Sequence, residues 1–166
     1  MSETYHITLH TRMGFMRAVS DGTHLIRLDW DQDIFDESDR PDDVSRETIS
    51  QLSEYLNGSL QNFSVPIKAE NMSQTATTWL DVMARIPYGS TITYAEFAAA
   101  AGKPKAPRAA GSACSTNPIP IIYPCHRVVR AGGSLGNYGG GSTLDPKHPE
   151  NLNRKQVLID LERHFS

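Results

Sequence analysis

The sequence predicts an α+β fold, with a small N-terminal antiparallel sheet that carries one helix and a mainly helical C-terminal part that contains a helix-turn-helix. Three observations indicate this fold. The first 30 residues form three short runs compatible with strands, apolar residues follow helical spacing from Trp79 onward, and 166 residues suffice for one ordinary domain or two small ones that share a core. The irregular segment 63–73 contains a proline, so we expect an auxiliary α/β domain at 1–73 and a second domain at 74–166.

Three strands are predicted in the first part of the chain, at residues 5–10, 15–20 and 24–30. Gly14 separates the first two strands, and the turn-forming pair of Asp21 and Gly22 separates the second from the third. Strands that follow one another so closely favour an antiparallel meander.

An acidic stretch and a helix follow the strands. Residues 29–43 contain eight acidic side chains and one arginine, which predicts a solvated, mobile loop without a function. Beyond it, apolar residues fall near helical spacing until Asn57 and Gly58, which form a good helix stop. The apolar positions are Val44, Ile49, Leu52 and Leu56. We expect this helix to pack on the sheet.

The C-terminal part begins with an amphipathic helix and a second, shorter one. The apolar stripe of the first helix consists of Trp79, Val82, Met83 and Ile86, and the sequence PYG at 87–89 ends it. Such a stripe is typical of core packing. Thr93 and Glu96 then form a capping box, in which both side chains satisfy amides at a helix start. This short helix runs through Ala101 and ends at Gly102.

A third helix is predicted from Ala106 to about Ser115, with Pro107 in its first turn. With the tight connection 103–105 before it, the helix pair has the pattern of a helix-turn-helix. Only small residues occupy positions 109–113, which would let this helix approach something bulky, such as a groove of DNA. A helical hairpin that binds no DNA is the alternative.

Charge is distributed unevenly along the chain. The net charge is −3, but residues 1–100 carry 7 basic and 15 acidic side chains, whereas residues 101–166 carry 9 and 4. No acidic residue lies between Glu96 and Asp145, so this stretch would attract a polyanion. Its basic residues are Lys103, Lys105, Arg108, Arg127 and Arg130. A solvated basic face without a partner is the alternative.

Composition argues against several other classes of protein. No apolar stretch approaches the roughly 20 residues of a membrane span, and the N-terminal residues do not have the pattern of a secretory signal. Two cysteines, Cys114 and Cys125, are too few for a disulfide framework or a cysteine-rich zinc site, so we expect reduced thiols in the cytoplasm. The remaining histidines lack metal-ligand spacing, so no metal is expected. They are His6, His10, His24, His148 and His164.

The segment around Cys125 carries the predicted chemistry. A short buried strand, Ile119 to Tyr123, would deliver Cys125 next to His126 and Arg127, and both neighbours would favour the thiolate. Cys114 has no such neighbours and is expected to be inert packing. Six of the twelve glycines lie in residues 131–141, where the backbone could approach a flat ligand closely.

Five motifs resemble the O6-alkylguanine-DNA alkyltransferases, also called methylated-DNA-protein-cysteine methyltransferases. They are IPYG at 86–89, TYAEFA at 93–98, PKAPRAAG at 104–111, NPIPIIYPCHRVV at 117–129 and GNYGGG at 136–141. Together they cover residues 79–141 almost continuously, and PCHRV preceded by NP is a specific signature. The N-terminal part, with its YLNG and FSVPI segments, is similar to the auxiliary domain of that family, which implies a ribonuclease H-like fold.

The resemblance implies DNA repair by a single-turnover, stoichiometric reaction. The alkyl group of O6-alkylguanine, and of O4-alkylthymine, would move to Cys125 and inactivate the protein. His126 would be the base, reached through a water, and Glu162 would orient His126. Asn117 would brace the active-site turn. No cofactor and no membrane is implied, and the protein would act as a monomer on double-stranded DNA.

The resemblance also implies how the nucleotide is held. Arg108 would take the place of the extruded guanine, and Tyr94 would help to rotate the nucleotide and donate to the base. Tyr138 would flank the alkyl pocket, while backbone groups of Cys125, Val128 and Gly139 would read the guanine edge. Further DNA contacts are implied for Thr93, Ala109 and Gly111.

Two departures from the family pattern concern the end of the pocket loop. Gly139 stands where some relatives have serine. Residues 142–154 form a longer connection than usual, and we expect an exposed loop because the segment has no apolar face. It is either a tolerated insertion or a gate for bulky alkyl groups at the mouth of the site. The placement of Glu162 depends on this segment, which precedes it.

Two rival functions are compatible with parts of the pattern. A Cys-His hydrolase would also need an oxyanion hole and a third orienting group, and adjacent residues such as Cys125 and His126 seldom point at each other. A non-catalytic damage-binding module of the alkyltransferase-like type would lack the cysteine that is present here.

Overall fold

The N-terminal part is a three-stranded sheet with one helix. The computed structural model describes residues 3–31 and 38–166. Strands β1 (Tyr5–Thr11), β2 (Gly14–Ser20) and β3 (Leu25–Asp31) pair antiparallel in the order β1-β2-β3. Gly14 closes the first hairpin with a φ of 109°, a value that glycine adopts without strain. The predicted meander is therefore confirmed, with strand ends shifted by one residue.

Helix α1 (Asp43–Leu56) packs on this sheet and buries Leu52 and Tyr55. Asp42 caps it, because its carboxylate accepts from the Ser45 amide while the Ser45 hydroxyl accepts from the Asp42 amide. The helix ends at Asn57, where the sequence predicts.

The acidic stretch is only in part a loop. Asp29 and Asp31 belong to β3, and Arg40 forms a backbone bridge to His6 of β1. Regular pairing therefore extends into both ends of the predicted loop, because backbone amides next to a sheet edge bond to it whatever their side-chain charge. Residues 32–37 lie outside the described part of the chain.

The C-terminal part is mainly helical. It contains helices α2 (Gln74–Met83), α3 (Tyr94–Ala100), α4 (Pro107–Ser115) and α5 (Pro149–Phe165), and both α4 and α5 contact a 3-10 turn at Cys125–Arg127. The turn is followed by β5 (Val128–Val129), which pairs parallel with β4 (Ile92–Thr93) just before α3. This pairing links the helix-turn-helix, α3 and α4, directly to the segment that carries Cys125.

The core contains residues of the apolar stripe predicted for α2, but the last residue of that stripe, Ile86, lies outside the helix. Trp79 and Met83 are buried on α2, and the Trp79 ring meets Phe97 of α3 edge to face at 5.1 Å between centroids. Ile86 is buried as well, but it lies in the turn after α2 has ended.

The two parts of the chain meet along the outer edge of β3. The Leu28 amide donates to the Pro118 carbonyl at 2.9 Å, and the Trp30 amide donates to the Gly141 carbonyl at 2.8 Å. Arg154 of α5 donates to the Met13 carbonyl at 3.0 Å and stacks on the Trp30 ring at 4.9 Å. One hydrophobic core runs through both parts.

Two predicted segments differ from the structure. Residues 119–123 form a tight turn, not a strand, because the Tyr123 amide bonds to the Ile119 carbonyl and Ile121 has a φ of 73°. A positive φ is costly for a β-branched residue and breaks any strand. Helix α5 begins at Pro149, so the connection is residues 142–148 only, and Arg154 is fully buried instead of exposed.

The described residues contain neither a membrane-spanning helix nor a cluster of metal ligands. No helix there is long and apolar enough to cross a membrane. No group of three His, Cys, Asp or Glu side chains in residues 3–31 and 38–166 could hold a metal ion.

Candidate active site

Asn117 shapes the turn that presents Cys125. Its side-chain amide donates to the Tyr123 carbonyl at 2.8 Å, and its side-chain oxygen accepts from the Ile119 amide at 3.0 Å. Asn117 also lowers the pKa of the Cys125 thiol. One buried side chain therefore holds both ends of the turn and influences the thiol that follows it.

Cys125 is buried, and its environment differs from the predicted one. Burial raises the pKa of Cys125 to about 11, although the Asn117 hydrogen bond and the charge of Lys155 act in the opposite direction. The thiol is therefore protonated near pH 7. The expectation that His126 and Arg127 favour the thiolate is wrong for the free protein, because both side chains bond elsewhere. The thiol must lose its proton during the reaction.

Both neighbours of Cys125 bond to Glu162 on α5. His126 Nε2 lies 2.6 Å from Glu162 Oε2. Arg127 donates through Nε to Oε1 at 2.8 Å and through its terminal nitrogen to Oε2 at 3.0 Å, which is a bidentate pair. Its other terminal nitrogen donates to the Ile86 carbonyl. The predicted proximity of Glu162 and His126 is thus present in the structure.

Glu162 has two further donors that come from distant parts of the chain. The Tyr55 hydroxyl of α1 donates to Oε2 at 2.6 Å, and the Gly89 amide donates to Oε1 at 3.2 Å. Burial opposes ionisation of Glu162, but the hydrogen bonds from His126 and from the charged Arg127 outweigh it and hold its pKa well below the usual range. Glu162 is therefore an ionised, fully bonded carboxylate.

The ionised state of Glu162 decides which nitrogen of His126 carries the proton. A carboxylate only accepts, so Nε2 donates to it and Nδ1 is the unprotonated nitrogen. Burial lowers the pKa of His126, so the ring is neutral near pH 7. Nδ1 is buried and has no hydrogen-bond partner among the described residues. The ring can therefore take one proton at Nδ1.

The glycine-rich loop forms the opposite wall. A β-carbon on Gly140 would lie 3.3 Å from Cys125 Sγ and 3.1 Å from the Asn117 carbonyl oxygen, so only glycine leaves normal space beside the sulfur. Tyr138 and Gly139 are buried next to it. Gly140, which was not among the predicted wall residues, thus lies against the thiol, and the predicted residues Tyr138 and Gly139 directly precede it in the chain.

Lys155 holds this loop in place. This role was not predicted from the sequence. Its ammonium group is buried and donates to the carbonyls of Val128 at 2.6 Å, Asn137 at 2.9 Å and Leu135. It also lies 3.4 Å from the Tyr94 hydroxyl. Burial lowers its pKa to about 8. The Val128 carbonyl therefore already has one donor, and a guanine edge would have to use its second lone pair.

The helix-turn-helix borders an open groove of about 510 Å³. It is lined by the exposed Arg108, by Gly111 of α4, and by Tyr94 with the neighbouring Gly136. A β-carbon on Gly136 would lie 2.7 Å from the Tyr94 hydroxyl oxygen. The other lining residues are Pro107, Ser112, Ser115, Thr116, Arg130 and Asn137.

Of the predicted DNA contacts, Ala109 is accessible to a partner, whereas the Thr93 hydroxyl already has a hydrogen bond within the protein. Ala109 is exposed on α4 and available to a partner. The Thr93 hydroxyl accepts from the Glu96 amide and caps α3, as the capping box predicts, so it is already used in holding the helix start.

Three residues of the site were not predicted from the sequence, namely Lys155, Tyr55 and Gly140. They differ in whether a sequence pattern could have indicated them. Lys155 precedes Glu162 by two helical turns and so shares its face, a spacing that could have indicated it. Tyr55 belongs to the YLNG segment that resembles the auxiliary domain of the family, but nothing in that segment indicates a contact with Glu162. Gly140 lies between two other glycines, so the sequence does not indicate which of the three contacts the thiol.

A buried cysteine backed by a histidine and a glutamate, beneath a basic helix-turn-helix, defines a DNA-directed protein that uses its own thiol as a reactant. Comparison with protein families agrees with this class. The family model described as 6-O-methylguanine DNA methyltransferase, ribonuclease-like domain, matches residues 4–69, and the corresponding DNA binding domain matches residues 74–164. The chain belongs to the 6-O-methylguanine DNA methyltransferase family.

Individual relatives extend this result. The chain is 33% identical over 167 residues to the constitutive methylated-DNA–protein-cysteine methyltransferase of Bacillus subtilis, covering 96% of this chain and 95% of that protein. It is 42% identical over 118 residues to the enzyme of that name from Mycobacterium leprae, covering 71% of this chain but just under two thirds, 65%, of the relative. A crystal structure of Mycobacterium tuberculosis OGT in complex with DNA superposes with a TM-score of 0.81 at 31% identity, covering 97% of this chain and 94% of that one.

Proposed function

We propose that this protein repairs DNA by moving the alkyl group of O6-alkylguanine, and of O4-alkylthymine, onto its own Cys125. The observation that carries the proposal is the buried Cys125 thiol beside Gly140, in a turn that contacts helix α4 of the helix-turn-helix and continues into His126, which pairs with Glu162. The names of the relatives, methylated-DNA–protein-cysteine methyltransferases, support the same reaction.

The reaction is a displacement at the alkyl carbon. A bond forms between Cys125 Sγ and this carbon while its bond to guanine O6 breaks, and the electron pair remains on O6. The thiol proton passes through a water to Nδ1 of His126, which Glu162 holds in the accepting tautomer. The leaving guanine takes up one proton, so the products are a thioether and unmodified guanine. Nothing regenerates the thiol, and the protein acts once.

Access to the alkyl group requires the nucleotide to leave the duplex. Extrusion costs a few kcal/mol and is offset by a side chain that fills the gap and by a fitted pocket. Arg108 at the groove rim fills the gap, Tyr94 guides the nucleotide and donates to the base, and Tyr138 flanks the alkyl group. Backbone groups of Val128 and Gly139 read the guanine edge.

The remaining assignments follow from this reaction. Ala109, Gly111 and the backbone near Thr93 approach the duplex, to which the protein binds as a monomer. Residues 74–166 bind DNA and accept the alkyl group, and residues 1–73 support them. A reducing compartment such as the cytoplasm suits a protein whose acceptor must remain a free thiol.

Intact-mass analysis tests the proposed reaction. After incubation with excess O6-methylguanine duplex, we expect the protein mass to rise by one methyl group and no more, because a single thiol is consumed. Peptide mapping should place the methyl group on Cys125. Unmodified duplex is the control. Multiple turnovers without a mass increase would instead indicate a hydrolase, and duplex binding without transfer a damage-binding module.

Arg108→Ala is expected to slow repair of duplex DNA much more than repair of a single strand or of a free base analogue. An inserted side chain helps only where a base stack has to be held open. Since extrusion costs a few kcal/mol, loss of the inserted Arg108 side chain should reduce the rate on duplex DNA by about 10-fold or more. The measurement is single-turnover transfer on the three substrates.

A matched control separates insertion from charge. Lys105→Ala removes an exposed positive charge two residues before α4, outside the groove lining. It should slow repair of the duplex and of the single strand slightly and to the same extent, and leave reaction with the free base analogue, which has no phosphates, unchanged. Equal losses on all three substrates with Arg108→Ala would mean that Arg108 serves the fold or the chemistry.

A further inference from the structure

The connection 142–148 is fastened to the pocket loop at one end and to α5 at the other. The Tyr138 amide donates to the Pro146 carbonyl at 2.9 Å, and the Ser142 amide donates to the Gly139 carbonyl at 3.1 Å. On the other side, the buried side-chain amide of Asn151 donates to the Asp145 carbonyl at 3.0 Å. The connection therefore has a defined position relative to the pocket.

Pro146 packs against the backbone of Gly139. A β-carbon on Gly139 would lie 2.9 Å from Pro146 Cγ and 3.4 Å from the Ser115 carbonyl oxygen, so the proline ring fills the space that a side chain at 139 would need. Gly139 immediately precedes Gly140, which lies against Cys125 Sγ. Ser115 lines the groove on the helix-turn-helix. The ring thus lies against the pocket loop and close to the carbonyl of Ser115, a residue that lines the groove.

We infer that Pro146 is a specificity-determining residue, whose ring forms part of the alkyl-pocket wall and limits the size of the group that Cys125 accepts. This inference rests on the proposed function. The ring cannot move aside freely, because proline fixes its own backbone and Asn151, which holds the neighbouring carbonyl, is itself bonded to Arg154 at 2.9 Å. A rigid apolar wall discriminates by volume, so methyl transfer tolerates it and bulkier groups do not.

Pro146→Ala tests the inference by shortening the wall while keeping the carbonyl that Tyr138 uses. Single-turnover rates are measured with O6-methylguanine and O6-benzylguanine in the same duplex. The ratio of benzyl to methyl rates should rise by about 10-fold, near the lower limit of what a methylene-sized change in an apolar pocket produces. Lys147→Ala, at the exposed neighbouring position, should leave the ratio unchanged.

A second pair of variants tests the contact itself. Gly139→Ser places a β-carbon against the ring and should slow methyl transfer, and Pro146→Ala in the same chain should restore much of the lost rate. Additive effects of the two substitutions, or an unchanged benzyl-to-methyl ratio in Pro146→Ala, would overturn the inference. Failure of the proposed function is distinguishable, because the wild-type protein would then transfer neither group.

Discussion

Cys125→Ser abolishes alkyl transfer while binding to duplex DNA persists. A serine hydroxyl is a far weaker nucleophile than a thiol and is not ionised measurably at neutral pH, so the displacement loses its reactant. Binding depends on phosphate contacts made by the surface of the helix-turn-helix, and Cys125 is buried away from that surface. Transfer is measured as methyl incorporation detected by mass, and binding as fluorescence anisotropy of a labelled duplex.

Cys114→Ala is the matched control for this experiment. Cys114 is the other buried thiol, lies on α4 and has a pKa that burial raises strongly. Its removal should leave one methyl group per protein. If Cys125→Ser still accepts the methyl group and Cys114→Ala does not, the acceptor is Cys114 and the site has been misassigned.

Glu162→Gln is expected to slow methyl transfer by about 100-fold, the lower part of the range for general acid–base catalysis. The amide lacks the charge that holds His126 with an unprotonated Nδ1, and it cannot accept from every donor that meets the carboxylate. The variant also leaves the buried Arg127 without its partner, which typically costs about 3–5 kcal/mol of stability. Single-turnover kinetics and urea unfolding measure the two effects.

The pH dependence of stability gives a second readout for Glu162. A carboxyl group whose pKa is depressed in the folded state stabilises the protein above its unfolded pKa of about 4.3 and loses that contribution as the pH falls toward the folded value. The wild-type protein should therefore lose stability steeply below about pH 4. Glu162→Gln should show a smaller loss over the same range. Identical slopes would mean that Glu162 is not ionised in the folded protein.

Tyr55→Phe and Tyr88→Phe form a matched pair around the same carboxylate. Tyr55 loses a hydrogen bond to Glu162, so transfer should slow and stability should fall by about 1–2 kcal/mol. Tyr88 packs edge to face on Tyr55, but its hydroxyl has no partner among the described residues, and its removal should change neither quantity. A rescue of the transfer rate at higher pH in Tyr55→Phe would show that the hydroxyl acts through the His126 proton.

Local patterns predicted much of the architecture correctly. The turn residues Gly14 and Gly22 and the Thr93–Glu96 capping box act over two to four positions, and the structure has the strands and the helix start where these residues predict them. The PCHRV motif likewise predicted a histidine beside the cysteine. These features are visible in sequence because their physical causes are short-range.

Other local predictions failed for identifiable reasons. The apolar run 119–123 looks like a strand, but Asn117 bonds across it and folds it into a turn. The polar segment 149–154 looks like a loop, but Pro149 starts α5, and Arg154 finds a buried carbonyl and the Trp30 ring. In both cases a polar side chain gained partners that only the folded chain brings near.

The sequence alone determined the strands, the helix-turn-helix and the family of the protein, because each depends on neighbours along the chain. The tertiary structure alone decided the electrostatics of the site. Glu162 meets Tyr55 from 107 positions away, Lys155 bonds to the loop wall, and burial raises the pKa of Cys125 to about 11. Desolvation and long-range hydrogen bonds arise only when distant segments pack together, so no pattern of adjacent residues reveals them.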